Sequence, residues 1–226
     1  MTALVGIGAC VFDAYGTLLD VASAGTRCRD ALGENLHRLN ALWREKQLQY
    51  TWLRSLEGRH ADFFRVTSDA LDYAMESLDI HDDKLRERLL GLYATLDAFR
   101  DASATLARLR KAGFKTAILS NGTPAMLEGA TRAAGIHDLL DHVLSVEEVG
   151  IYKPHPSVYQ LAVERLALHA DSIAFVSSNG WDAYGASAFG MRVVWCNRYG
   201  QRPERLPGKP DAVVSSLEAI PDLLRR

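Results

Sequence analysis

The sequence predicts an α/β fold, a doubly wound parallel sheet with a helical block inserted after the first strand, and three observations carry that prediction. An apolar run, Cys10-Val11-Phe12, ends on Asp13 beside the turn Gly16-Thr17, as a buried strand does where it reaches the carboxyl edge of a parallel sheet. Residues 21–97 carry helical periodicity instead of strand alternation. From Asp101 to the end, helix and strand signals alternate, the pattern of a sheet assembled from βα units.

The elements follow in order. After the first strand, Leu32, Leu36, Leu39 and Trp43 fall on one helical stripe, and Leu85, Leu89, Leu92 and Leu96 on another. Between them a middle helix places Phe64, Leu71, Ala74 and Leu78 on one face. Three such helices make a small bundle with its own core and one surface to offer a cleft. A helix over 104–112 closes at Gly113 and leads into a strand over 116–120; a second, opened by Pro124, closes at Gly135 before a strand over 142–145. Pro156 opens a helix bearing Val158, Leu161, Ala162 and Leu166. A strand over 173–178, a helix to Gly190, strands over 192–196 and 211–214 and a last helix complete the chain. The segment 200–210, rich in Pro, Gly and Arg, is a surface loop.

Composition narrows the class of function. The 226 residues are 48% hydrophobic with a net charge of −2, enough for a core-bearing domain with an insertion. Basic residues are interspersed with acids, so no nucleic-acid partner is expected. No window reaches the ~18 apolar residues of a spanning helix, and the first twenty residues lack the basic and apolar regions of a signal peptide. A soluble cytoplasmic protein without membrane contact is expected. Cys10, Cys28 and Cys196, odd in number and widely spaced, read as buried free thiols. The seven histidines form no metal-spaced cluster, and Gly6-Ile7-Gly8 precedes its strand where a dinucleotide fingerprint would follow one. Neither zinc nor NAD is expected.

In a doubly wound sheet the carboxyl ends of the strands converge. The residues found there are Asp13, Ser120-Asn121-Gly122, Lys153 and Ser177-Ser178-Asn179-Gly180-Trp181-Asp182. Together they offer a carboxylate nucleophile, a cation to keep it ionised, a hydroxyl and amide pair for a substrate anion and a second carboxylate. Each also has a structural reading. Ser120-Asn121-Gly122-Thr123-Pro124 is a good turn and helix cap, Lys153 could be a surface lysine before Pro154, and Asp182 could complement a helix dipole.

With these residues in place the chain resembles the haloacid dehalogenase superfamily: Asp13 stands in its first motif, Ser120 in its second, Lys153 in its third and Ser178 to Asp182 in its fourth. The resemblance implies a Rossmann-like core over 1–20 and 98–226, with 21–97 as a small helical cap subdomain of four-helix type. Most members are phosphatases with an Asp-x-Asp first motif and a metal-binding Asp in the fourth. Here Tyr15 and Ser178 stand at those two places, which argues against a magnesium site, since a hard octahedral cation needs charged oxygen ligands. The remaining pattern looks like an L-2-haloacid dehalogenase. The segment from Leu42 to Arg54 is similar to that family's cap helix, and Phe175 to Asp182 to its fourth motif. One departure is Glu45, where the family often has Gln; an acid facing the pocket would oppose anions.

The resemblance implies hydrolytic dehalogenation of short L-2-haloalkanoic acids to D-2-hydroxy acids, with no cofactor and no metal. Asp13 would displace halide from C2 to form an aspartyl ester that water hydrolyses, with Lys153 keeping the carboxylate ionised and Thr17 positioning it. The Ser120 hydroxyl and backbone amides near Ala14, Tyr15 and Asn121 would hold the substrate carboxylate. Arg44 and Asn121 would receive the halide ion. Asp182 would act as base for the water, with Asn179 and Ser177 keeping the site in register, and Tyr159, placed one helical turn past Lys153, hydrogen-bonding near that lysine. Tyr15, Leu48, Phe63 and Trp181 would line an apolar pocket around the alkyl group. The cap stripes leave room for a homodimer interface. Three other readings stay open on sequence: a magnesium-dependent phosphatase, a binding protein that keeps the fold without chemistry, and a dehalogenase suited to fluoroacetate or larger haloacids.

Overall fold

Six parallel strands run in the order β3-β2-β1-β4-β5-β6: β1 (Ala9–Phe12), β2 (Lys115–Ser120), β3 (His142–Ser145), β4 (Ile173–Ser177), β5 (Arg192–Cys196) and β6 (Ala212–Val214). The computed structural model describes residues 3–226. β1 and β4 are buried along their whole length, because helices cover both faces of the sheet and leave no polar side to alternate with. The register pairs Phe12 with Ile118 on one side and Val176 on the other, and Ser120 with Ser145. The chain leaves β1 for one side of the sheet and returns to the other through β4. The order reverses beside β1, and there the carboxyl ends of the strands open a crevice.

Between β1 and β2 lie α1 (Ser23–Thr26), α2 (Arg29–Leu32), α3 (Leu36–Leu56), α4 (Phe63–Ser77), α5 (Asp83–Tyr93) and α6 (Ala102–Lys111). α3 buries Leu36, Leu39, Trp43, Gln47 and Thr51 at helical spacing. Leu32 belongs to the same core but not to the same helix, because Gly33 adopts φ +50° and breaks the stripe. α4 starts on Asp62, whose carboxylate caps the Arg65 amide at 2.9 Å. Its buried face is Phe63, Val66, Thr67, Ala70, Leu71, Ala74 and Met75. The expected face is thereby corrected at two positions: Phe64 is 47% exposed and Phe63 takes the interior, and Leu78 falls past the last turn of α4 as its half-buried C-cap. Phe63 packs on Tyr15 and Tyr152, and a rotation of about 100° per residue turns its neighbour outward. The Trp43 indole donates to the Thr67 carbonyl at 2.9 Å, locking α3 to α4.

The second half adds α7 (Pro124–Ala133), α8 (Pro156–Leu166), α9 (Gly180–Phe189) and the single turn α10 (Ile220–Leu223). All three cysteines are buried free thiols, and residues 200–209 are exposed. Among the described residues no helix is long and apolar enough to cross a membrane.

Candidate active site

Asp13 is the first residue past β1, and its amide extends the ladder by donating to the Val176 carbonyl at 2.9 Å. Since β1 lies between β2 and β4, Asp13 sits between Ser120 and Ser177, each the last residue of its strand. Gly16, at φ +90°, lets the chain reverse immediately, and its amide closes on the Leu19 carbonyl at 2.7 Å.

The Asp13 carboxylate is buried, and its partners are the residues expected from sequence. Oδ1 accepts from Lys153 Nζ at 3.2 Å. Oδ2 accepts from Asn179 Nδ2 at 2.7 Å, from Thr17 Oγ1 at 3.1 Å and from Ser177 Oγ at 3.5 Å, the outer limit of such a bond. The Thr17 hydroxyl also accepts from the Ser178 amide at 2.8 Å, which leaves its only proton for Asp13.

Lys153 is 1% exposed and so is no surface lysine. Its Nζ bridges Asp13 and, at 2.9 Å, Asp182 Oδ2, while Asp182 Oδ1 accepts from the Tyr159 hydroxyl at 2.8 Å. Lys153 lies ahead of α8 rather than on it, so Tyr159 reaches the carboxylate behind the lysine and not the lysine itself. Burial pushes the Lys153 ammonium down, but the two carboxylates facing it outweigh that and hold it above the ordinary lysine range. Burial pushes Asp182 up; Lys153 draws it back, Asp13 opposes that, and the group settles at about 6. Burial, with Asp182 adding to it, also lifts the Tyr159 hydroxyl well above the tyrosine range, so it remains a donor.

Arg44 on α3 brings the helical layer to the sheet edge. Its Nη2 lies 3.4 Å from Asn179 Oδ1 and 3.5 Å from the Tyr15 carbonyl, and Nη1 donates to Gln47 Oε1 at 2.7 Å. On the other side, Asn121 Oδ1 accepts from the Lys153 amide at 3.1 Å and Ser120 Oγ from the Gly122 amide at 3.1 Å. The backbone amides of Ala14, Tyr15 and Asn121 have no acceptor among the described residues. Three free amides, a serine hydroxyl and a guanidinium thus border the buried carboxylate, an arrangement suited to a small anion.

Of the expected pocket residues, Tyr15 and Phe63 pack at a tilt of 43° with ring centroids 5.4 Å apart. The Tyr15 hydroxyl is buried without a partner, and the ring presses on Gly122 so closely that a Cβ there would lie 2.7 Å from Cε2. Leu48, one turn past Arg44, is half-buried. Trp181 meets Trp52 edge-on at 5.5 Å and, with Leu56, Ile151 and Pro154, lines an apolar pocket of about 460 Å³ that reaches Lys153. Glu45 requires a correction: it is exposed and accepts from Gln49 at 3.0 Å. One residue after Arg44 on a helix points about 100° away, so its charge does not oppose an anion in the site.

Sequence reasoning passed over Gln47 and Tyr93. Gln47 is 1% exposed; its Nε2 donates to Thr67 Oγ1 at 2.7 Å and its Oε1 orients Arg44, with the Tyr93 hydroxyl 3.1 Å from Nε2. The available signal was a glutamine at a core position of the stripe through Leu39 and Trp43. The donor set does not fit a divalent ion. Lys153 already stands between the two carboxylates, and Ser178 offers a hydroxyl where a further charge is needed.

Comparison with known proteins places the chain in a family. Residues 7–190 match the family of haloacid dehalogenase-like hydrolases. The chain is 48% identical over 221 residues to (S)-2-haloacid dehalogenase 1 of Pseudomonas sp. (strain CBS-3), covering 97% of each chain. It superposes with a TM-score of 0.96 on a solved dehalogenase with an intermediate complex, at 42% identity and with 98% of this chain and 99% of that one covered. The L-2-haloacid dehalogenase from Xanthobacter autotrophicus with chloropropionic acid covalently bound superposes with a TM-score of 0.90 at 38% identity, covering 96% and 98%.

Proposed function

The chain belongs to the haloacid dehalogenase-like hydrolases, and from that premise we propose that the Asp13 cluster is its active site and carries out a two-step displacement. The enzyme is a hydrolase of carbon–halide bonds that removes halide from L-2-haloalkanoic acids, as its relatives at 40–48% identity do. One observation carries the residue assignment: a buried carboxylate, held by one cation and two short neutral donors, faces three free amides and a guanidinium.

In the first step an Asp13 oxygen attacks C2 from the side opposite the halogen, the C–O bond forms, and the halide leaves with the electrons of the C–X bond. Backside attack converts the L-haloacid into a D-configured ester. The amides of Ala14, Tyr15 and Asn121 with Ser120 Oγ hold the substrate carboxylate, while Arg44 and the Asn121 side-chain amide receive the halide as its charge develops. Tyr15, Leu48, Phe63 and Trp181 enclose the alkyl group. In the second step water attacks Cγ of the ester, a proton passes to Asp182, and cleavage releases the 2-hydroxy acid and restores Asp13. A base poised at about 6 is matched to this task at neutral pH. Tyr159 and Lys153 hold Asp182 in place, and Asn179 and Ser177 hold Asp13.

Residues 21–97 act as a cap over a core formed by 1–20 and 98–226. Leu53 and Leu56, 51% and 84% exposed on α3, support a homodimer formed through that helix, to be checked by sedimentation. The deciding test is halide release from L- and D-2-chloropropionate in excess EDTA. Release from the L enantiomer alone is expected; release only on addition of magnesium, or none from either enantiomer, overturns the reading.

A further inference from the structure

We propose that Arg198, backed by Asp101, is a positioning residue for the displacement: it holds the Thr17 carbonyl so that the Thr17 hydroxyl stays on Asp13. The inference rests on Asp13 being the nucleophile. Arg198 follows β5, outside every strand-end segment that supplies the site, and it touches no reacting group. Its side chain is nonetheless only 11% exposed, against 9% for Asp101. Its Nη1 donates to Asp101 Oδ2 at 2.8 Å and its Nη2 to Asp101 Oδ1 at 2.9 Å. The same Nη2 donates to the Thr17 carbonyl at 3.0 Å.

The guanidinium is fixed from three directions. The Phe99 ring lies under it, 4.1 Å from its carbon. Asp101 is itself held, since Oδ2 also accepts from Ser216 Oγ at 2.8 Å and from the Leu217 amide at 2.9 Å. The 97–101 segment grips the turn after β1 directly as well, through Asp20 N to the Asp97 carbonyl at 2.8 Å and Phe99 N to the Leu18 carbonyl at 2.9 Å. An exposed ion pair would transmit little, because solvent lets its geometry wander; this one is enclosed and forked. The resulting chain runs Asp101, Arg198, Thr17 carbonyl, Thr17 hydroxyl, Asp13. Because the Thr17 hydroxyl must also accept from the Ser178 amide, a small rotation of its peptide costs both contacts at once. In-line attack at C2 tolerates little of that, as a misplacement of ~1 Å can cost about 10²-fold in rate.

Lysine at 198 keeps the charge but is a point donor that cannot serve the Asp101 fork and the Thr17 carbonyl together. For Arg198→Lys, kcat with L-2-chloropropionate should fall about tenfold or more, with KM within about twofold of wild type, in protein that remains folded. The distinguishing measurement is the same substitution in a Thr17→Val background. If Arg198 acts through the Thr17 hydroxyl, its replacement there costs less than about twofold further, a coupling that a merely structural role does not produce. A wild-type kcat for Arg198→Lys, or an equal loss with and without the Thr17 hydroxyl, overturns the inference. Should Arg198→Lys not fold, Asp101→Asn is read in the same way, since it keeps an oxygen on the guanidinium and removes the charge that fixes it. Wild-type protein inert to both enantiomers overturns the dehalogenase reading and this inference together, whereas an active wild type with undisturbed variants overturns this inference alone.

Discussion

Asp182 is buried in a place where it cannot be indifferent to pH. Its carboxyl sits at about 6 because burial favours the neutral form more than Lys153 favours the charged one. As the base of the second step it must be unprotonated, so kcat should fall as pH drops through about 6, tenfold per unit once well below it. The Tyr159 hydroxyl stabilises the Asp182 carboxylate, so Tyr159→Phe should move that acid limb to higher pH; a pH–rate profile in which the limb stays or moves down removes Tyr159 from this role. Asp13→Asn should abolish turnover while the protein still folds, because an amide retains the shape but not the charge of the nucleophile. Arg44→Ala should slow halide loss with substrate binding less affected, read from the kcat and KM split. At this scale the sequence was legible for Asp13, Lys153 and Asn179, since a motif names them. It was not legible for Gln47, whose value lies in contacts to Arg44, Thr67 and Tyr93 that only packing creates.

Among the elements, α4 shows how one residue of phase separates site from solvent. Phe63 is 1% exposed against Tyr15 and Tyr152, while Phe64 is 47% exposed. Phe63→Ala should cost about 3–5 kcal/mol of unfolding free energy in urea and lower kcat/KM. Phe64→Ser should stay within about 0.5 kcal/mol and leave activity unchanged. Equal effects from both would contradict this face assignment. Hydrophobic periodicity located the helix but not its exact face, because two adjacent phenylalanines fit the pattern equally and the partner rings decide between them. The same limit explains Glu45: it follows Arg44 in sequence, yet the helical step of about 100° turns it to solvent once α3 is docked through Arg44. The strands are more legible, since buried parallel strands announce themselves as continuous apolar runs bounded by turn residues.

The whole molecule is a sheet edge closed by a helical layer, and its reaction should carry the mark of a covalent intermediate. In a single turnover in ¹⁸O-labelled water the product should lack label, because its new oxygen comes from Asp13, and the label should be found in the enzyme; fully labelled product would mean direct attack by water. By itself, the sequence determined the α/β class, the order of most elements and the four segments that meet at the carboxyl edge, because these follow from local periodicity, turn chemistry and motifs carried on contiguous residues. Only the tertiary structure decided how Lys153 bridges Asp13 and Asp182, which face α3 and α4 turn inward, and that Arg198, some 180 residues from Thr17, donates to the Thr17 carbonyl. Such contacts join residues distant in the chain, and their geometry is set by the packing of whole elements, which no local pattern encodes.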